Sequence, residues 1–272
     1  VATGRGGLHP SGALTAYAVA NTRGLFAYHR STWARVEARV TRPSGWSRTE
    51  VEHAVAVGDL RPGAVVERLL EGGAAAELRA LPPGRYPAVL GARAVAALLS
   101  AARGGAGLGG PSGEEGARGT HRAVRIRVDP FHPLHRACPF DGRGRPRSVD
   151  ELVVDGAPVP GVRSPSDPAP LVMDGDEGSA RALVEAVPAG VYIPGLVGVE
   201  LVDPRRLRLV GATEGMLAIE EGDLTGPVVE ARFELELFPL LDGLEALGAP
   251  RRSPGAVAPP LRLGAFPLYA WA

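Results

Sequence analysis

The chain contains no lysine, a single cysteine and few aromatic residues. All thirty basic residues are arginine, and thirty acidic residues balance them to a formal net charge of zero. Nucleic-acid-binding domains concentrate positive charge, so this balance argues against a nucleic-acid partner. Abundant arginine, alanine, glycine and proline in place of lysine indicate a GC-rich coding sequence. The lone Cys138 cannot form an intrachain disulfide, which agrees with a reducing compartment.

Long hydrophobic runs are also missing. No apolar stretch approaches the roughly 20 residues that span a bilayer, and no charged-then-apolar leader with a small-residue cleavage site is present. We therefore expect a cytoplasmic protein with no membrane partner. With 272 residues, 45% of them hydrophobic, the chain can bury at least one full core and is predicted to hold two modules.

The first predicted module ends near residue 80. A strand-like run at 14–20, the turn cluster Asn21-Thr-Arg-Gly24 and an alternating run at 25–40 predict a β-hairpin. In this cluster we expect turn chemistry of Asn21 and a positive φ at Gly24. A helical pattern follows over 62–80, which Gly72-Gly73 should interrupt or end. Leu81-Pro-Pro-Gly84 is the predicted boundary, which divides the chain into residues 1–80 and residues 81–272.

The second module alternates short strand and helix signals. Strands are predicted at 86–90, 124–128, 149–154, 196–202, 206–210, in the hairpin 211–228, at 229–237 and at 267–271, and helices at 92–103, 179–188 and 240–247. Strands outnumber helices and tight turns join most of them. The predicted fold class is therefore α+β and strand-rich, with a largely antiparallel sheet or barrel-like C-terminal module and a few short helices.

Two stretches carry a family resemblance. Gly84-Arg-Tyr-Pro-Ala-Val-Leu90 with the apolar helix after it, and the hairpin from Gly211 to Val228, resemble the C-terminal region of the TldD/PmbA family, the "modulator of DNA gyrase" type. Its members are peptidase subunits, some zinc-bearing and some not. The resemblance implies that residues 1–80 are a remnant of the middle domain. It also implies an N-terminal α/β domain that nothing here matches, so we expect residues upstream of Val1 to be missing.

The zinc motif of that family is absent from the sequence. In the zinc-bearing branch the helix after the Gly-x-Tyr-Pro strand carries His-Glu-x-x-x-His, where two imidazoles share a metal and the glutamate takes a proton from bound water. Here Ser100, Ala101 and Gly105 stand at those positions, and no cysteine follows Cys138 to serve as the third ligand. The chain thus resembles the metal-free, TldE/PmbA-like branch. We assign it no catalytic, cofactor-binding or metal-binding residue and no cofactor.

The segment His132-Pro-Leu-His135-Arg-Ala-Cys138, flanked by Asp129 and Asp141, is the one local cluster of metal-type ligands. Such short spacings in a proline-containing loop rarely wrap a tetrahedral ion, so we interpret it as a structured surface loop. Asp141, in Phe140-Asp-Gly-Arg-Gly144, is interpreted as a turn residue rather than an acid catalyst.

Several weaker signals have ordinary structural explanations. The glycine-rich 104–110 lacks the Gly-Lys-Ser/Thr ending of a phosphate loop. Arg251-Arg252 and the arginines at 122, 125 and 127 are expected on outward strand faces, and Trp33 and Trp46 in a core or interface.

The resemblance implies a function. We expect a non-catalytic, metal-free subunit of a TldD/TldE-type metallopeptidase complex that acts in the proteolysis of unfolded or leader peptides. Its expected partners are a zinc-bearing TldD-like subunit in a heterodimer, or a second copy of itself, and a peptide substrate. Two alternatives stay open: a homodimeric peptide-binding or scaffold protein that has lost peptidase function, and an independent hydrolase with an unrecognised site such as the His132 loop.

Overall fold

The computed structural model describes residues 5–71, 77–103, 108, 119–135, 137–160, 162 and 169–269. The first part is an antiparallel sheet of three strands in chain order, followed by one helix. Its elements are β1 (Arg5–Ala20), β2 (Phe26–Thr41), β3 (Ser47–Ala54) and α1 (Pro62–Leu70). The predicted hairpin is confirmed, and the strands of the hairpin are 16 residues long. The helix predicted over 62–80 ends at Leu70, and the Gly72-Gly73 pair lies outside the described residues.

The hairpin turn is built as its sequence indicates. Asn21 Oδ1 accepts hydrogen bonds from the backbone N–H groups of Arg23 (2.9 Å) and Leu25 (3.1 Å), and Gly24 has a φ of +88°. Asn21 therefore serves turn chemistry, since its side chain satisfies two donors that the turn would otherwise leave open.

The second part contains fifteen strands and three helices among the described residues. They are β4 (Gly84–Leu90), α2 (Ala92–Ala102), β5 (Ile126–Val128), β6 (Asp150–Val154), β7 (Ala157–Pro158), β8 (Leu171–Met173), α3 (Ala180–Glu185), β9 (Ala189–Ile193), β10 (Gly195–Asp203), β11 (Arg208–Glu214), β12 (Leu217–Glu220), β13 (Asp223–Pro227), β14 (Arg232–Glu236), α4 (Leu237–Asp242), β15 (Leu244–Leu247), β16 (Arg251–Ser253), β17 (Ala256–Ala258) and β18 (Leu261–Leu268).

These strands form three further sheets. Their orders are β10-β11-β14, β13-β12-β9-β4-β18-β15 and β16-β17-β8-β5-β6-β7. Most pairs are antiparallel, but β4 pairs with β9 and β8 with β17 in parallel. The α+β, strand-rich, largely antiparallel prediction is confirmed. The barrel-like alternative is wrong for the described strands, because each sheet is open at both ends.

Helix α2 lies at the centre of the second part. It contacts β4, β10, β11, β16 and β17, and its buried residues are Ala94, Val95, Ala96, Leu98, Leu99 and Ala102. A helix that is apolar on most of its circumference must be covered on most sides, and here strands of three sheets cover it. The segment that matches the family's zinc-bearing helix is therefore a core element.

Two predicted elements differ in the structure. The predicted helix 240–247 is α4 up to Asp242, with Gly243 as its C-cap, and then strand β15, which pairs with β18. The predicted strand 229–237 begins only at Arg232, because Val229 donates its N–H to the carbonyl of Arg79 outside the sheet ladder. In both places a partner from elsewhere in the chain overrides the local pattern.

Side chains of β3 reach across the predicted boundary at residues 81–84. Trp46, just before β3, donates its Nε1–H to the carbonyl of Met216 (3.2 Å) and packs with Val89 and Leu217. Thr49 Oγ1 donates to Glu214 Oε1 at 2.8 Å. The division into two modules remains a prediction, and these contacts join the two parts. In the described part of the chain, no helix has the length and apolarity needed to cross a membrane.

Candidate functional site

The C-terminal end of α2 is where the zinc-bearing branch would carry its ligands. Ser100 lies on the last turn of α2 and Ala101 follows it, whereas Gly105 lies outside the described residues. Ser100 Oγ is buried without a hydrogen-bond partner and faces the turn between β16 and β17, where a Cβ on Gly255 would come within 2.4 Å of it. The two side chains thus offer neither a zinc ligand set nor a general base.

The His132 loop is organised by its own turns. Asp129 accepts from the backbone N–H of Phe131 (2.9 Å) and pairs with Arg127 (3.4 Å), and His132 Nδ1 accepts from the N–H of Leu134 (3.3 Å). Within the described ranges, no three His, Cys, Asp or Glu side chains come together in a way that could hold a metal ion. The loop is a structured surface segment in which Asp129 already has a cationic partner.

Asp141, which the sequence suggested as a turn residue, serves that role. Its Oδ1 accepts from the backbone N–H groups of Arg143 (2.8 Å) and Arg145 (2.9 Å). These backbone hydrogen bonds, with the nearby arginines, lower the pKa of the Asp141 carboxyl below its usual value. Asp141 is therefore ionised and held in place, which is the opposite of what a general acid needs.

A cavity of about 440 Å³ opens between the β1–β2 hairpin and the His132 loop. We call it the hairpin cavity. It combines aromatic and aliphatic walls with hydroxyls and cationic groups. Its lining residues are Thr15, Tyr17, Ala18, Val19, Ser31, Thr32, Trp33, His135, Ala137, Cys138, Phe140, Asp141, Gly142, Arg147 and Arg252.

A second cavity of about 530 Å³, the arginine cavity, lies on the other side of β16. Six arginines line it, at positions 48, 68, 93, 181, 251 and 252. Four of the six are bound to carboxylates: Arg48 to Glu50 (3.0 Å), Arg68 to Glu52 (3.1 Å), Arg93 to Glu214 (2.6 Å), and Arg181 to Glu185 (2.9 Å) and Asp223 (2.6 Å). Most of its charge is thus neutralised within the protein.

Arg252 lines both cavities, so β16 is the wall between them. Among the described residues, no carboxylate forms an ion pair with Arg252. Partial burial lowers the pKa of its guanidinium from the ordinary value. The guanidinium is still fully charged at neutral pH, because the ordinary value lies far above 7. Arg252 is therefore a cation that faces open space on two sides.

Two histidines lie beside Arg252. Burial lowers the pKa of His53, on β3, to about 4, with further lowering by Arg252 and Arg35. Burial also lowers the pKa of His135 to about 4, and Arg252, His53, Arg103 and His132 add to the effect. Both imidazoles are neutral at pH 7, because a charged ring would be poorly solvated and would face cations.

The sequence alone indicated only part of this arrangement. Arg251-Arg252 stood out as a basic pair, but we assigned it to an outward strand face, whereas Arg252 lies between two cavities. No local signal in the sequence brings His53 near His135, which is more than eighty positions away. Arg125, just before β5, behaves as predicted, since it is exposed and pairs with Asp155 (3.2 Å) while Val124 and Ile126 are buried. Trp33 lines the hairpin cavity, and Trp46 is in the core.

The chain is similar to one protein-family model and to several solved structures. A family model, the PmbA/TldA metallopeptidase C-terminal domain, matches residues 161–267. No curated protein matches the chain.

Solved structures match almost the whole chain in fold. TldE from Thermococcus kodakarensis is 17% identical, with a TM-score of 0.81 over 98% of this chain and 69% of that one. A candidate modulator of a DNA gyrase from Thermotoga maritima is 18% identical (TM-score 0.77, 96% of this chain, 68% of that one). Another from Bacteroides thetaiotaomicron is 20% identical (TM-score 0.75, 98% and 66%). At these identities the matches show a shared fold.

Proposed function

Residues 161–267 belong to the PmbA/TldA metallopeptidase C-terminal domain family, which confirms the resemblance drawn from the sequence, and from this premise we propose a role in proteolysis. The protein is a non-catalytic, metal-free subunit of a TldD/TldE-type metallopeptidase complex. It acts with a zinc-bearing homologue on unfolded or leader peptides in the cytoplasm. The partner supplies the chemistry, and this chain supplies part of the surface that holds the peptide.

The observation that carries the proposal is the sequence of α2. This helix follows β4 as the zinc-bearing helix follows its strand in the family, yet Ser100 and Ala101 occupy positions where a ligand and a base would stand. A hydroxyl and a methyl group neither ligate zinc strongly nor accept a proton from bound water. The sequence after Cys138 contains no further cysteine to serve as the third ligand.

The structure offers two kinds of surface for an extended peptide. The edge strand β10 presents main-chain groups beside a groove of about 690 Å³ formed with β11 and β14. Main-chain hydrogen bonds to an edge strand tolerate varied side chains, which suits unfolded substrates. The hairpin cavity adds a pocket for one side chain or chain end.

The test is reconstitution with a zinc-bearing partner. The purified chain is mixed with a homologue that carries His-Glu-x-x-x-His. Complex formation is measured by size-exclusion chromatography with light scattering, and cleavage is measured with an unstructured peptide. We expect no cleavage by this chain alone, a stable complex, and cleavage by the mixture. Replacing the glutamate of the partner's motif by glutamine should abolish that cleavage.

A matched control lies in this chain. Ser100→Ala should leave the cleavage rate of the mixture unchanged, because Ser100 Oγ is buried against the turn at Gly255 and has no hydrogen-bond partner among the described residues. Chelator-sensitive cleavage by this chain alone would contradict the proposal, and so would the absence of any complex.

A second candidate, a homodimeric peptide-binding or scaffold protein, is favoured by one observation. The β1–β2 hairpin exposes large apolar side chains along its length, namely Leu8, Leu14, Tyr17, Phe26 and Tyr28. Exposed apolar clusters of this kind mark surfaces that a partner covers. Light scattering separates the candidates, since a stable homodimer that does not exchange with the zinc-bearing homologue favours the scaffold. An independent hydrolase at the His132 loop draws no support from the described residues, because Asp129 is already paired with Arg127.

A further inference from the structure

The floor of the hairpin cavity, formed by His135 and Arg252, has buried nitrogens without hydrogen-bond partners on it and near it. Nδ1 of His135, both ring nitrogens of His53 and Nε of Arg103 are buried, and none has a hydrogen-bond partner in the described structure. Buried polar atoms are nearly always bonded, so a group of orphaned nitrogens in one place calls for an external partner.

Their proximity follows from the packing. Strand β16 contacts both β3, which carries His53, and α2, at whose end Arg103 lies, and the charges of Arg252, His53 and Arg103 all act on His135. His135 and Arg252 line the same cavity. Arg103 uses one Nη to donate to the carbonyl of Ala169, which leaves its Nε free.

The charges of the described residues at this floor do not cancel. Arg252 forms no ion pair with any described carboxylate, and Arg103 donates to a neutral carbonyl. Asp141 lines the cavity, but two backbone N–H groups already occupy its Oδ1. A partly buried cation without a counterion is less well solvated than one in water, and a bound anion relieves that cost.

We propose that the floor of the hairpin cavity binds one carboxylate of a peptide, with Arg252 as the cation, His135 as the hydrogen-bond donor that lines the cavity, and His53 as a buried neighbouring ring that senses the bound charge. A carboxylate matches this set, because a guanidinium presents a planar fork of donors and the His135 imidazole adds an N–H. The cavity volume of about 440 Å³ exceeds what one small anion needs. Tyr17, Trp33 and Phe140 form apolar walls for the residue that carries the carboxylate.

This site rests on the proposed function. It adds a point at which one carboxylate of the bound peptide is held. The carboxylate comes either from the C-terminus of a peptide or from an aspartate or glutamate side chain. Both sources present the same group to Arg252, and different peptides distinguish them.

Binding should be linked to proton uptake. A carboxylate beside His53 and His135 favours their charged forms and so raises the pKa of both rings from about 4. Affinity should therefore increase as the pH falls from 7.5 towards 5, by at most about tenfold per pH unit for each ring that gains a proton. The other charged or titratable groups that face the two rings or line the cavity are Tyr17, Arg35, Arg103, His132, Cys138, Asp141, Arg147 and Arg252.

The experiment is calorimetric titration of the full chain without any partner. The probes are N-acetyl-Leu-Phe with a free carboxyl end, the same dipeptide as its amide, N-acetyl-Glu-Phe amide, and inorganic phosphate, each at pH 5.5 and 7.5. We expect the free acid or the glutamyl peptide to bind about tenfold tighter or more at pH 5.5, and whichever binds identifies the source. The Leu-Phe amide should not bind.

Two neighbours on β16 give a matched pair of variants. Arg252→Gln should weaken carboxylate binding by about tenfold or more. Arg251→Gln should change it less than about twofold, because Arg251 lines the arginine cavity and not the hairpin cavity. His135→Gln should reduce the pH dependence. Thermal unfolding of each variant checks that the fold is retained.

Equal binding of acid and amide would overturn the proposal, as would equal loss in the Arg251 and Arg252 variants or binding of phosphate alone. The outcome is separable from the proposed function. A chain that fails to bind carboxylates but forms an active complex refutes the site alone, and a chain that binds them but finds no zinc-bearing partner refutes the complex alone.

Discussion

Acid should destabilise this protein through His53 and His135. Both rings have a folded-state pKa of about 4, below the ordinary value of 6.5. The unfolded chain therefore binds more protons than the folded chain between these two values. By linkage, the free energy of unfolding is unaffected above about pH 6.5, falls as the pH drops through the interval, and levels off below about 4.

The magnitude follows from the shift. A displacement of roughly 2.5 units corresponds to an upper limit of about 3.4 kcal/mol for each ring. The rings are only partly buried, and they repel each other when both are charged, so we discount this to about 1.5 kcal/mol each, or about 3 kcal/mol together. Glu230 has the opposite sign, because burial and Glu214 raise its pKa and its protonation stabilises the fold as the pH falls.

Urea unfolding at pH 7.5, 6.5, 5.5 and 4.5 measures this dependence. The buffers should contain no carboxylate or phosphate, since a bound anion would raise the pKa of both rings. The double variant His53→Gln, His135→Gln should lose most of the fall in unfolding free energy, whereas His9→Gln, at an exposed position of β1, should retain it. If the double variant loses as much stability on acidification as the parent protein, the burial and charge effects invoked here are not the cause.

Three further substitutions test the contacts that position the site. Trp46→Phe removes the hydrogen bond to the Met216 carbonyl (3.2 Å) and should cost about 1 kcal/mol in urea unfolding, whereas Trp46→Ala should cost about 3–5 kcal/mol. Glu214→Gln leaves Arg93 without its carboxylate (2.6 Å) and should cost about 3 kcal/mol, with a smaller loss when Arg93→Met is already present. Asn21→Ala should raise hydrogen exchange at the hairpin turn with less than about 1 kcal/mol of global destabilisation, and unchanged exchange would refute its turn role.

The sequence predicted those elements correctly whose structure depends on neighbouring residues, such as helix caps and turns. A helix was predicted to start at residue 179, and Ser179 is its N-cap, since its Oγ accepts from the N–H of Ala182 (3.1 Å) at the start of α3. The alternation at residues 36–40 and the turn cluster that ends in Gly24 likewise predicted the hairpin. The helix predicted over 240–247 was wrong after Asp242. A short apolar stretch fits a helix or a buried strand equally well, and pairing with β18 makes the second half of this one a strand.

The candidate carboxylate site was beyond local reasoning. His53, His135 and Arg252 come from a strand, a loop and another strand that are far apart in the sequence. Their grouping depends on how β16 packs between β3 and α2, and no spacing rule encodes such packing. By contrast, the missing zinc motif could be found from the sequence because its ligands lie on one helix.

The position of β18 between β4 and β15 has a consequence for synthesis on the ribosome. Strand β4 needs β18 as its neighbour, and roughly 170 residues separate the end of β4 from the start of β18. Translation proceeds at about 5–20 residues per second, so the backbone edge of β4 that pairs with β18 stays unpaired for roughly 10 to 30 s in the nascent chain. During that interval the unpaired edge of β4 can bind chaperones or pair with other nascent copies of the chain. The yield of folded protein in cells should therefore depend on how much of this edge is covered by chaperones before β18 is synthesised.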